Sequence, residues 1–358
     1  MHKNRLANLR TELERLQLEA VYLTNGVNRK YMTGFTGSAG SVLVTATEAI
    51  LFVDFRYREQ APKQAPAYAV QELPQQSMAV VAEKARSLGV KRLGFEQNDV
   101  TYGTYRAWAD GPLAGFELVP TDGVVERLRM VKDEHELAIM QEAAELADRT
   151  FEHMLGVLRP GLSEREAALE LEWFMRRNGA TSTSFETIVA SGERSALPHG
   201  VASDRIIGEN EFVKMDFGAY YKDYCSDLTR TVMIGEPTAK HREIYEIVLE
   251  AQLHALDRIR PGMTGKEADA LTRDIITRYG YGEYFGHGTG HGLGMEIHEA
   301  PRLSLSGDTI LKPGMTVTVE PGIYLPGFGG VRIEDDIVIA DNGIKILTRA
   351  DKTFRIIK

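Results

Sequence analysis

The sequence is poor in cysteine, since Cys225 is its single one, and no disulfide can form within the chain. This usage fits a reducing cytoplasm, which is the localisation that we expect. No run approaches the roughly 20 apolar residues that cross a membrane, and the N-terminal stretch MHKNRLANLRTELERL lacks the apolar centre of a secretory signal. Basic residues are outnumbered, and the net charge of −9 argues against nucleic acid as the main partner.

The chain is long enough for two domains, and 43% hydrophobic with 26% charged residues is typical of soluble proteins. Over residues 1–122, short apolar runs alternate with helical patterns, which predicts an α/β domain. The glycine-rich stretch GFTGSAGS lacks the spacing of a phosphate loop, so we interpret it as a structural loop. The stretch PTDGVVE marks a boundary, and a long amphipathic helix from Asp133 opens a second domain over residues 127–358.

An internal repeat divides this second domain into two halves. Residues 158–179 (LRPGLSEREAALELEWFMRRNG) recur as residues 259–280 (IRPGMTGKEADALTRDIITRYG). In each copy Arg-Pro-Gly predicts a turn, and Ser163 or Thr264 predicts an N-cap that is completed by a capping-box glutamate. A histidine-bearing segment and a hairpin with two acids follow each helix. We therefore predict two αα–β halves related by a pseudo-twofold axis, with all four acids near one centre.

The first acid pair, Asp216 and Asp227, lies in VKMDFGAYYKDYCSDLTR. The flanking stretches 212–218 and 224–234 are rich in aromatic and β-branched residues, which predicts the two strands of a hairpin. If the turn is centred just after Tyr221, the two aspartates are directly opposed on one face. Opposed like charges destabilise a sheet, so the pair requires a cation between the carboxylates or a raised pKa on one of them.

The second acid pair, Glu320 and Glu334, lies in TVTVEPGIYLPGFGGVRIEDD, where a strand leads through a Gly/Pro turn into another strand. With the centre at Gly327, these glutamates are also directly opposed. Between the hairpins, FGHGTGHGLGMEIHEAPR carries three histidines among glycines: His287, His291 and His298. Four carboxylates and one imidazole suit two divalent cations. Oxygen-rich ligation with a single nitrogen favours Mn, Co or Fe over a thiolate-type zinc site.

These motifs resemble metallopeptidase family M24, whose members have the pita-bread fold. The resemblance rests on DFGAYYKDYCSDLTR, HGTGHGLG, HEAPR, VEPGIY and RIEDD, in the family's order and spacing within residues 127–358. Residues 1–120 resemble the N-terminal domain of the prolidase, aminopeptidase P and creatinase branch, which methionine aminopeptidases mostly lack. The implied fold class is an α/β N-terminal domain followed by an α+β pita-bread domain with a pseudo-twofold internal repeat.

The family's metal-ligand positions correspond to five residues of this chain: Asp216, Asp227, His291, Glu320 and Glu334. The resemblance implies that Asp227 and Glu334 bridge the two ions. Glu320 is in addition our candidate for moving a proton between the attacking water and the leaving group. The acids that follow Glu334, Asp335 and Asp336, we interpret as polar residues of the hairpin.

Further active-site positions are implied by the same resemblance. His199 in ALPHG and His298 in IHEAP match substrate-contacting histidines, and we predict a catalytic role for both, with His298 stabilising the oxyanion. His287 matches a further active-site histidine, to which we also give a catalytic role. Tyr324 and Arg332 match residues near the ligating glutamates, and we predict that Tyr324 contacts substrate as well.

Arg302, in HEAPR, is a candidate anchor for the free carboxylate of a dipeptide through its bidentate guanidinium. The alternative interpretation is a surface arginine beside the cleft. An anchor at this position favours a dipeptidase over an enzyme for longer peptides.

The resemblance implies an enzyme that hydrolyses the peptide bond before proline with two divalent metal ions, most simply a Xaa-Pro dipeptidase. The alternatives are an aminopeptidase P that acts on longer Xaa-Pro-Xaa peptides, and a non-catalytic peptide-binding relative, against which the complete ligand set argues. Manganese is the predicted metal, with cobalt, iron or zinc as alternatives. The predicted partners are small peptides with proline second and, by family resemblance, a second copy of the chain in a homodimer.

Overall fold

The computed structural model describes residues 2–74 and 77–358, and it divides into two units after Arg129. Helices of the first unit are α1 His2–Arg15, α2 Gly26–Thr33, α3 Ala61–Gln64, α4 Met78–Ser87, α5 Tyr102–Ala109 and α6 Val124–Arg129. Its strands are β1 Ala20–Leu23, β2 Ser41–Thr45, β3 Ala49–Val53, β4 Ala69–Glu72, β5 Arg92–Glu96 and β6 Glu117–Thr121.

The strands of the first unit form one mixed sheet in the order β4-β3-β2-β1-β5-β6. Strand β1 pairs parallel with β5 and antiparallel with β2. Apolar side chains of β1, β2, β3 and β5 are buried against α4, and Leu6, Leu9 and Leu13 of α1 are buried too. The unit is thus an α/β domain, as the alternation of short apolar runs predicts.

Helix α6 extends the first unit beyond the predicted end at residue 122. Its Leu128 carbonyl accepts a hydrogen bond from Tyr31 Oη (3.2 Å), and Arg129 Nη1 donates to Asn28 Oδ1 (2.8 Å). These bonds tie the end of α6, which was predicted to belong to the second domain, to α2 of the first unit.

The second unit has four long helices among its described residues: α7 Glu134–Leu155, α8 Glu164–Arg177, α9 Ala239–Arg258 and α10 Gly265–Arg278. Strands of its first half are β7 Ser182–Thr183, β8 Ile188–Ser191, β9 Glu211–Phe217, β10 Ala219–Tyr221, β11 Tyr224–Cys225 and β12 Leu228–Ile234. The remaining strands are β13 Gly290–Gly292, β14 Glu299–Leu303, β15 Thr316–Val319, β16 Gly322–Leu325, β17 Gly329–Arg332, β18 Asp335–Ala340, β19 Gly343–Ile346 and β20 Ile356–Ile357.

Two main sheets build the second unit, ordered β20-β12-β9-β8 and β14-β13-β15-β18-β19. Buried side chains of α7 and α8 pack against β9 and β12, and those of α9 and α10 pack against β15 and β18. The sheets meet where the Glu334 N–H donates to the Thr229 carbonyl (3.1 Å). Each half is therefore a helix pair on a sheet, and the two sheets join beside the acids.

The internal repeat is confirmed at the level of the helices. Both α8 and α10 contain 14 residues, and each begins with a capping box, Ser163 with Glu166 in α8 and Thr264 with Glu267 in α10. The glycines of both Arg-Pro-Gly turns have positive φ, 88° at Gly161 and 92° at Gly262. The repeat in sequence is thus a repeat in structure.

The hairpin of the second acid pair has the predicted register. Val319 pairs with Asp335, and Gly322 pairs with Arg332. Both ladders are centred on residue 327. Glu320 and Glu334, which lie between the two ladders, therefore fall opposite each other.

The hairpin of the first acid pair has a different register from the predicted one. Tyr221 pairs with Tyr224, and Asp216 pairs with Thr229. The loop residues between the two tyrosines have φ of 47° and 71°, which is the conformation of a two-residue type I′ turn. This turn type fixes the centre one position later, so Asp216 and Asp227 are diagonal rather than directly opposed. Residue 227 still shares a face with 229 and hence with Asp216.

Among the described residues, none of the helices combines the length and the hydrophobicity that a bilayer span requires.

Candidate metal centre and active site

A cavity of about 560 Å³ opens in the second unit and is lined by residues of both halves. Its wall contains nine of the predicted site residues: Asp216, Asp227, His291, Glu320, Glu334, His199, His287, His298 and Arg302. The apolar part of the wall comes from Phe185, Ile188, Pro198, Val201 and Ile297. An apolar cavity with a few convergent polar groups is the usual form of a small-molecule site.

Three of the predicted ligands meet at the base of the hairpins. Ligand atoms of Asp227, His291 and Glu334 all lie within 4.8 Å of one another, and all three residues are buried. Glu320 joins them, with its Oε1 at 3.4 Å from His291 Nε2, while Asp227 Oδ2 is at 3.6 Å from the same nitrogen. Three carboxylates therefore converge on one imidazole nitrogen.

The imidazole of His291 is oriented for ligation. Its Nδ1 faces the Gly292 carbonyl at 3.1 Å, and because a carbonyl only accepts, Nδ1 carries the proton and Nε2 presents a lone pair to the acids. Burial lowers the pKa of His291 to about 3, so the ring is neutral at neutral pH. A lone pair facing carboxylates is repulsive unless a cation lies between them.

The glycines that flank His291 are required by close packing. A Cβ at Gly290 would lie 2.0 Å from the Thr318 carbonyl oxygen, and a Cβ at Gly292 would lie 2.2 Å from that of Ala300. Strand β13 runs between β14 and β15, and its glycines let the neighbouring backbones approach. The HGTGHG pattern thereby places the His291 ring beside the acids.

Asp227 is fixed through its backbone and has one unpartnered oxygen among the described residues. Its backbone N–H donates to Asp336 Oδ2 (2.8 Å), whereas its Oδ1 is buried and has no hydrogen-bond partner among the described residues. Burial and the nearby charges of Glu334 and Asp216 raise the pKa of Asp227 well above its usual value. A buried carboxylate oxygen without a partner is costly, and a divalent cation would satisfy it.

Glu334 and Glu320 are each oriented by a threonine hydroxyl. Thr229 Oγ1 donates to Glu334 Oε2 (2.5 Å), and Thr318 Oγ1 donates to Glu320 Oε1 (3.0 Å). Burial and the charge of Glu320 raise the pKa of Glu334 well above its usual value. Burial is also the main cause that raises the pKa of Glu320 to about 7 when no cation is bound.

Asp216 is held by Arg332, a fully buried arginine whose Nη2 bonds its Oδ2. The same guanidinium donates through Nε to Thr229 Oγ1 (3.0 Å) and through Nη1 to Tyr324 Oη (2.9 Å). Its Nε lies 3.9 Å from Glu320 Oε2. Arg332 thus ties together acids from both hairpins.

Tyr324 and His287 continue this chain of hydrogen bonds. His287 Nδ1 faces the Gly288 carbonyl at 2.7 Å and therefore carries the proton, so Nε2 accepts from Tyr324 Oη (2.7 Å). Burial and the charge of Arg332 lower the pKa of His287 to about 4. Both ring nitrogens of His287 are engaged within the protein.

Tyr324 itself is buried and is not part of the cavity wall. Burial raises the pKa of its phenol to about 12, and its hydroxyl bonds Arg332 and His287. The prediction that Tyr324 contacts substrate does not match this position, because the side chain lies behind the wall. Its position instead agrees with support of the residues near the glutamates.

His199, His298 and Arg302 are the exposed members of the predicted set. The His298 ring packs edge-on against the His291 ring, with centroids 4.5 Å apart. Arg302 pairs with His291 across β13 and β14, so its guanidinium can reach a group bound beside the acids. These three side chains are free to meet a ligand in the cavity.

The interpretation of Asp335 and Asp336 as polar hairpin residues is wrong. Both are fully buried. Asp335 accepts hydrogen bonds from Arg230 Nη2 (2.8 Å) and Gln252 Nε2 (2.5 Å), and Asp336 accepts one from the Asp227 N–H. The Arg230 guanidinium also donates to the Glu334 carbonyl, so this network fixes both Asp227 and Glu334.

Three residues that support the predicted ligands were not among the predicted site residues: Thr229, Arg230 and Thr318. Thr229 and Thr318 each stand two positions from an acid on the same strand face, and this spacing was a usable signal. For Arg230, whose partner lies 105 positions away, the sequence contains no such signal.

Comparison with known proteins identifies the family. The model of metallopeptidase family M24 matches residues 138–341, and that of the creatinase/prolidase N-terminal domain matches residues 5–131. The chain belongs to metallopeptidase family M24. The predicted family, the α/β plus pita-bread architecture and the enzyme class, a metallopeptidase, are thereby confirmed.

Full-length relatives agree with this assignment. The chain is 41% identical over 343 residues to a Xaa-Pro dipeptidase of Pyrococcus horikoshii, a match that covers 95% of each protein. It is 52% identical to an uncharacterized peptidase of Bacillus subtilis, over 97% of this chain and 98% of the relative.

Solved structures show the same fold over nearly the whole chain. The Xaa-Pro dipeptidase from Bacillus anthracis matches with a TM-score of 0.97 at 52% identity, over 99% of this chain and 100% of that chain. The X-Pro aminopeptidase from Thermotoga maritima matches with a TM-score of 0.90 at 38% identity, over 96% and 99% respectively.

Proposed function

We propose that this M24 peptidase is a dinuclear metal-dependent dipeptidase that hydrolyses the peptide bond of Xaa-Pro dipeptides. The observation that carries the proposal is the convergence of Asp227, Glu320 and Glu334 on the Nε2 lone pair of His291. Such a cluster is stabilised by cations between its members or, in their absence, by protons that its carboxyl groups retain. The names of the Pyrococcus and Bacillus anthracis relatives support the substrate class.

The residues that would hold the two ions are Asp216, Asp227, His291, Glu320 and Glu334. The orphaned Oδ1 of Asp227 and the neutral His291 ring fit divalent cations. When bound, the ions supply a nucleophilic water near neutral pH and polarise the scissile carbonyl. Manganese is our proposed metal, because oxygen ligands dominate the set. Cobalt, iron and zinc tolerate the same ligands.

The remaining chemistry is assigned to side chains of the cavity. Glu320, whose Oε1 lies 3.4 Å from His291 Nε2 at the cavity wall, would take a proton from the attacking water and give it to the departing proline nitrogen. His298, exposed beside His291, would donate to the developing oxyanion. His199 would bind the substrate from the first half of the unit, and His287 would act through Tyr324 to keep Arg332 in place.

Arg302 favours a dipeptidase over an enzyme for longer peptides. It is exposed at the cavity wall, opposite His291 in the β13–β14 ladder. A guanidinium there would pair with the free carboxylate of a substrate that ends at proline. A longer peptide carries an amide at that position and would lose the ion pair.

The proposal is tested by removing metal with a chelator, reconstituting with Mn²⁺ and measuring hydrolysis. A Xaa-Pro dipeptide is compared with the Xaa-Pro-Xaa tripeptide and with a dipeptide of the same first residue that lacks proline. We expect about two metal ions per chain and a kcat/KM that is highest for Xaa-Pro. Fully loaded protein that leaves every Xaa-Pro dipeptide intact would refute the proposal, and a clear preference for the tripeptide would favour the aminopeptidase alternative.

We further propose a cytoplasmic homodimer. The single cysteine, Cys225, is buried, and burial raises the pKa of its thiol to about 12, so it is suited to packing in a reducing compartment rather than to reaction. The dimer is suggested by the family resemblance and is tested by light scattering of the purified protein.

A further inference from the structure

The turn that carries His199 is not part of a helix or a strand. It lies between a short 3-10 helix, residues 192–196, and a single bridge at Val201. The side chain of His199 is exposed at the cavity wall. The direction of the imidazole therefore depends on the buried side chains that hold the turn.

The outer anchor of this segment is the carboxylate of Glu164, at the start of α8. It is fully buried and accepts hydrogen bonds from the backbone N–H groups of Ser191 (2.8 Å) and Ser203 (3.0 Å). Arg194 bonds the same carboxylate and also donates to the Val201 carbonyl (2.8 Å). These bonds fix the two ends of the segment but leave its centre, next to His199, to another group.

The inner anchor is Lys214 on β9. Its side chain is fully buried, and its Nζ donates to the Leu197 carbonyl (2.5 Å) with a second, longer contact to the Pro198 carbonyl (3.3 Å). Arg332 Nη1 also donates to the Pro198 carbonyl (3.0 Å). The carbonyls of the two residues directly before His199 are thus held by two buried side chains, those of Lys214 and Arg332.

A lysine at this position is difficult to explain by packing alone. Burial of an ammonium group costs stability that an apolar side chain of similar length would avoid. Lys214 stands two positions before Asp216, as Thr318 stands two positions before Glu320. Thr318 bonds its neighbouring acid, whereas Lys214 reaches the turn of His199 instead. The two hairpins use equivalent positions for different tasks.

We propose that Lys214 is a positioning residue, which holds the turn at Leu197 and Pro198 and thereby directs His199 toward a substrate in the cavity. The inference rests on the proposed function for the identity of that substrate, but the placement of His199 does not depend on it. Lys214 acts through His199 and touches neither the substrate nor the metal ligands through a hydrogen bond.

A double-mutant cycle tests the dependence on His199. For a Xaa-Pro dipeptide and Mn-loaded enzyme, Lys214→Met is expected to raise KM about tenfold with little change in kcat, as for loss of one buried hydrogen bond. In a His199→Ala background, Lys214→Met should add nothing further. Metal content should stay at the wild-type level in every variant. Independent, multiplicative effects of the two substitutions, or lost metal in Lys214→Met, would overturn the proposal.

Met215→Leu is the matched control, because Met215 is the next residue of β9 and is buried in the core between α8 and the sheet. We expect wild-type kinetics from it. A rise in KM equal to that of Lys214→Met would attribute the effect to strand packing and contradict the positioning role.

Hydrogen–deuterium exchange provides a readout that does not require activity. The amides of Gly200 and Val201 are bonded within the turn, to the Leu197 and His199 carbonyls. They should exchange faster in Lys214→Met while β9 and α8 keep their protection. Unchanged exchange of the turn would overturn the proposal, even if the wild-type protein proved not to cleave Xaa-Pro peptides. Should Lys214→Met not fold, Lys214→Gln is measured in the same way with the same expectations.

Discussion

The two acid hairpins each carry a pair of proposed metal ligands but hold them by different means. The glutamates of the second hairpin each receive a threonine hydroxyl, from Thr229 and Thr318. Of the aspartates, Asp216 is bonded by the Arg332 guanidinium, and Asp227 is fixed through its backbone while one of its oxygens stays unpartnered among the described residues. Hydroxyls orient a carboxylate and leave its charge uncompensated, whereas a guanidinium also neutralises it.

Most of the groups that hold the four acids come from the opposite half of the second unit. Asp216 and Asp227 are held by groups of the second half, Arg332 and Asp336, while Glu334 is held by Thr229 of the first half. Glu320 alone is oriented from its own strand. The centre therefore exists only when both halves are docked, and neither hairpin alone can form it.

The largest effect is expected from removal of Asp227 or Glu334, the two acids that we propose would be shared between the ions. Asp227→Asn and Glu334→Gln should each lower kcat by roughly 1,000-fold, because several kcal/mol of transition-state stabilisation depend on the metals. Turnover by the purified variants, measured against a Xaa-Pro dipeptide at saturating Mn²⁺, checks this. A wild-type kcat in either variant would refute the bridging role of that residue.

The contrast between guanidinium and hydroxyl supports predicts a graded loss of metal affinity. Arg332→Met should weaken Mn²⁺ binding by up to about 100-fold, and Thr318→Val by about tenfold, the range for residues that support ligands. Arg332 is expected to matter more because it bonds Asp216, Thr229 and Tyr324 together. Calorimetric titration of the metal-free variants measures both. Equal losses would remove the distinction between the hairpins.

The uncompensated charge of the centre predicts a pH-dependent stability of the metal-free protein. The raised pKa values of Glu320, Glu334 and Asp227 mean that the folded state retains protons that the unfolded state has released. Each retained proton makes the free energy of unfolding fall by about 1.4 kcal/mol per pH unit, whereas Lys214, whose pKa burial lowers, contributes the opposite slope. Because the raised acids outnumber this lysine, the free energy of unfolding should fall as pH rises from 6.5 to 8.5. His287 and His291, whose pKa values are lowered in the folded state, oppose this fall near pH 6.5, where about half of the unfolded-state imidazoles are protonated, and contribute little above about pH 7.5.

Thermal unfolding of chelator-treated protein across that pH range tests the sign. Mn²⁺ should raise the melting temperature more at pH 8.5 than at pH 6.5, because cations replace the retained protons. Stability of the metal-free protein that rises with pH would contradict the charge arrangement at the centre.

The smallest effect concerns the cavity wall rather than the ligands. Arg302→Ala should raise KM for Xaa-Pro dipeptides by about threefold to fivefold, because an exposed ion pair contributes less than about 1 kcal/mol. The KM for Xaa-Pro-Xaa tripeptides should change less. Steady-state kinetics with both substrates decide the matter, and equal changes would show that Arg302 does not anchor the carboxylate.

Much of the fold follows from the sequence because it depends on local patterns. The capping boxes at Ser163 and Thr264 and the long helix that opens at Asp133 each rest on residues a few positions apart. The register of the second hairpin was also predictable, since Gly327 lies at its centre with a φ of 75°. Short-range signals of this kind survive in any tertiary context.

The remaining features depend on contacts that are distant in sequence. The register of the first hairpin is set by positive φ at Lys222 and Asp223. A glycine would have indicated such a turn in the sequence, whereas lysine and aspartate do not. Asp335 is buried because Arg230 and Lys352 neutralise it, and nothing in the RIEDD motif distinguishes it from an exposed acid. The position of Tyr324 behind the wall follows from its partners as well.

Anomalous diffraction from crystals loaded with Mn²⁺ tests the central claim most directly. The account predicts two manganese peaks in the second unit, with Asp227 and Glu334 contacting both and with Asp216, His291 and Glu320 completing their coordination. A single peak, or peaks away from these five side chains, would contradict it.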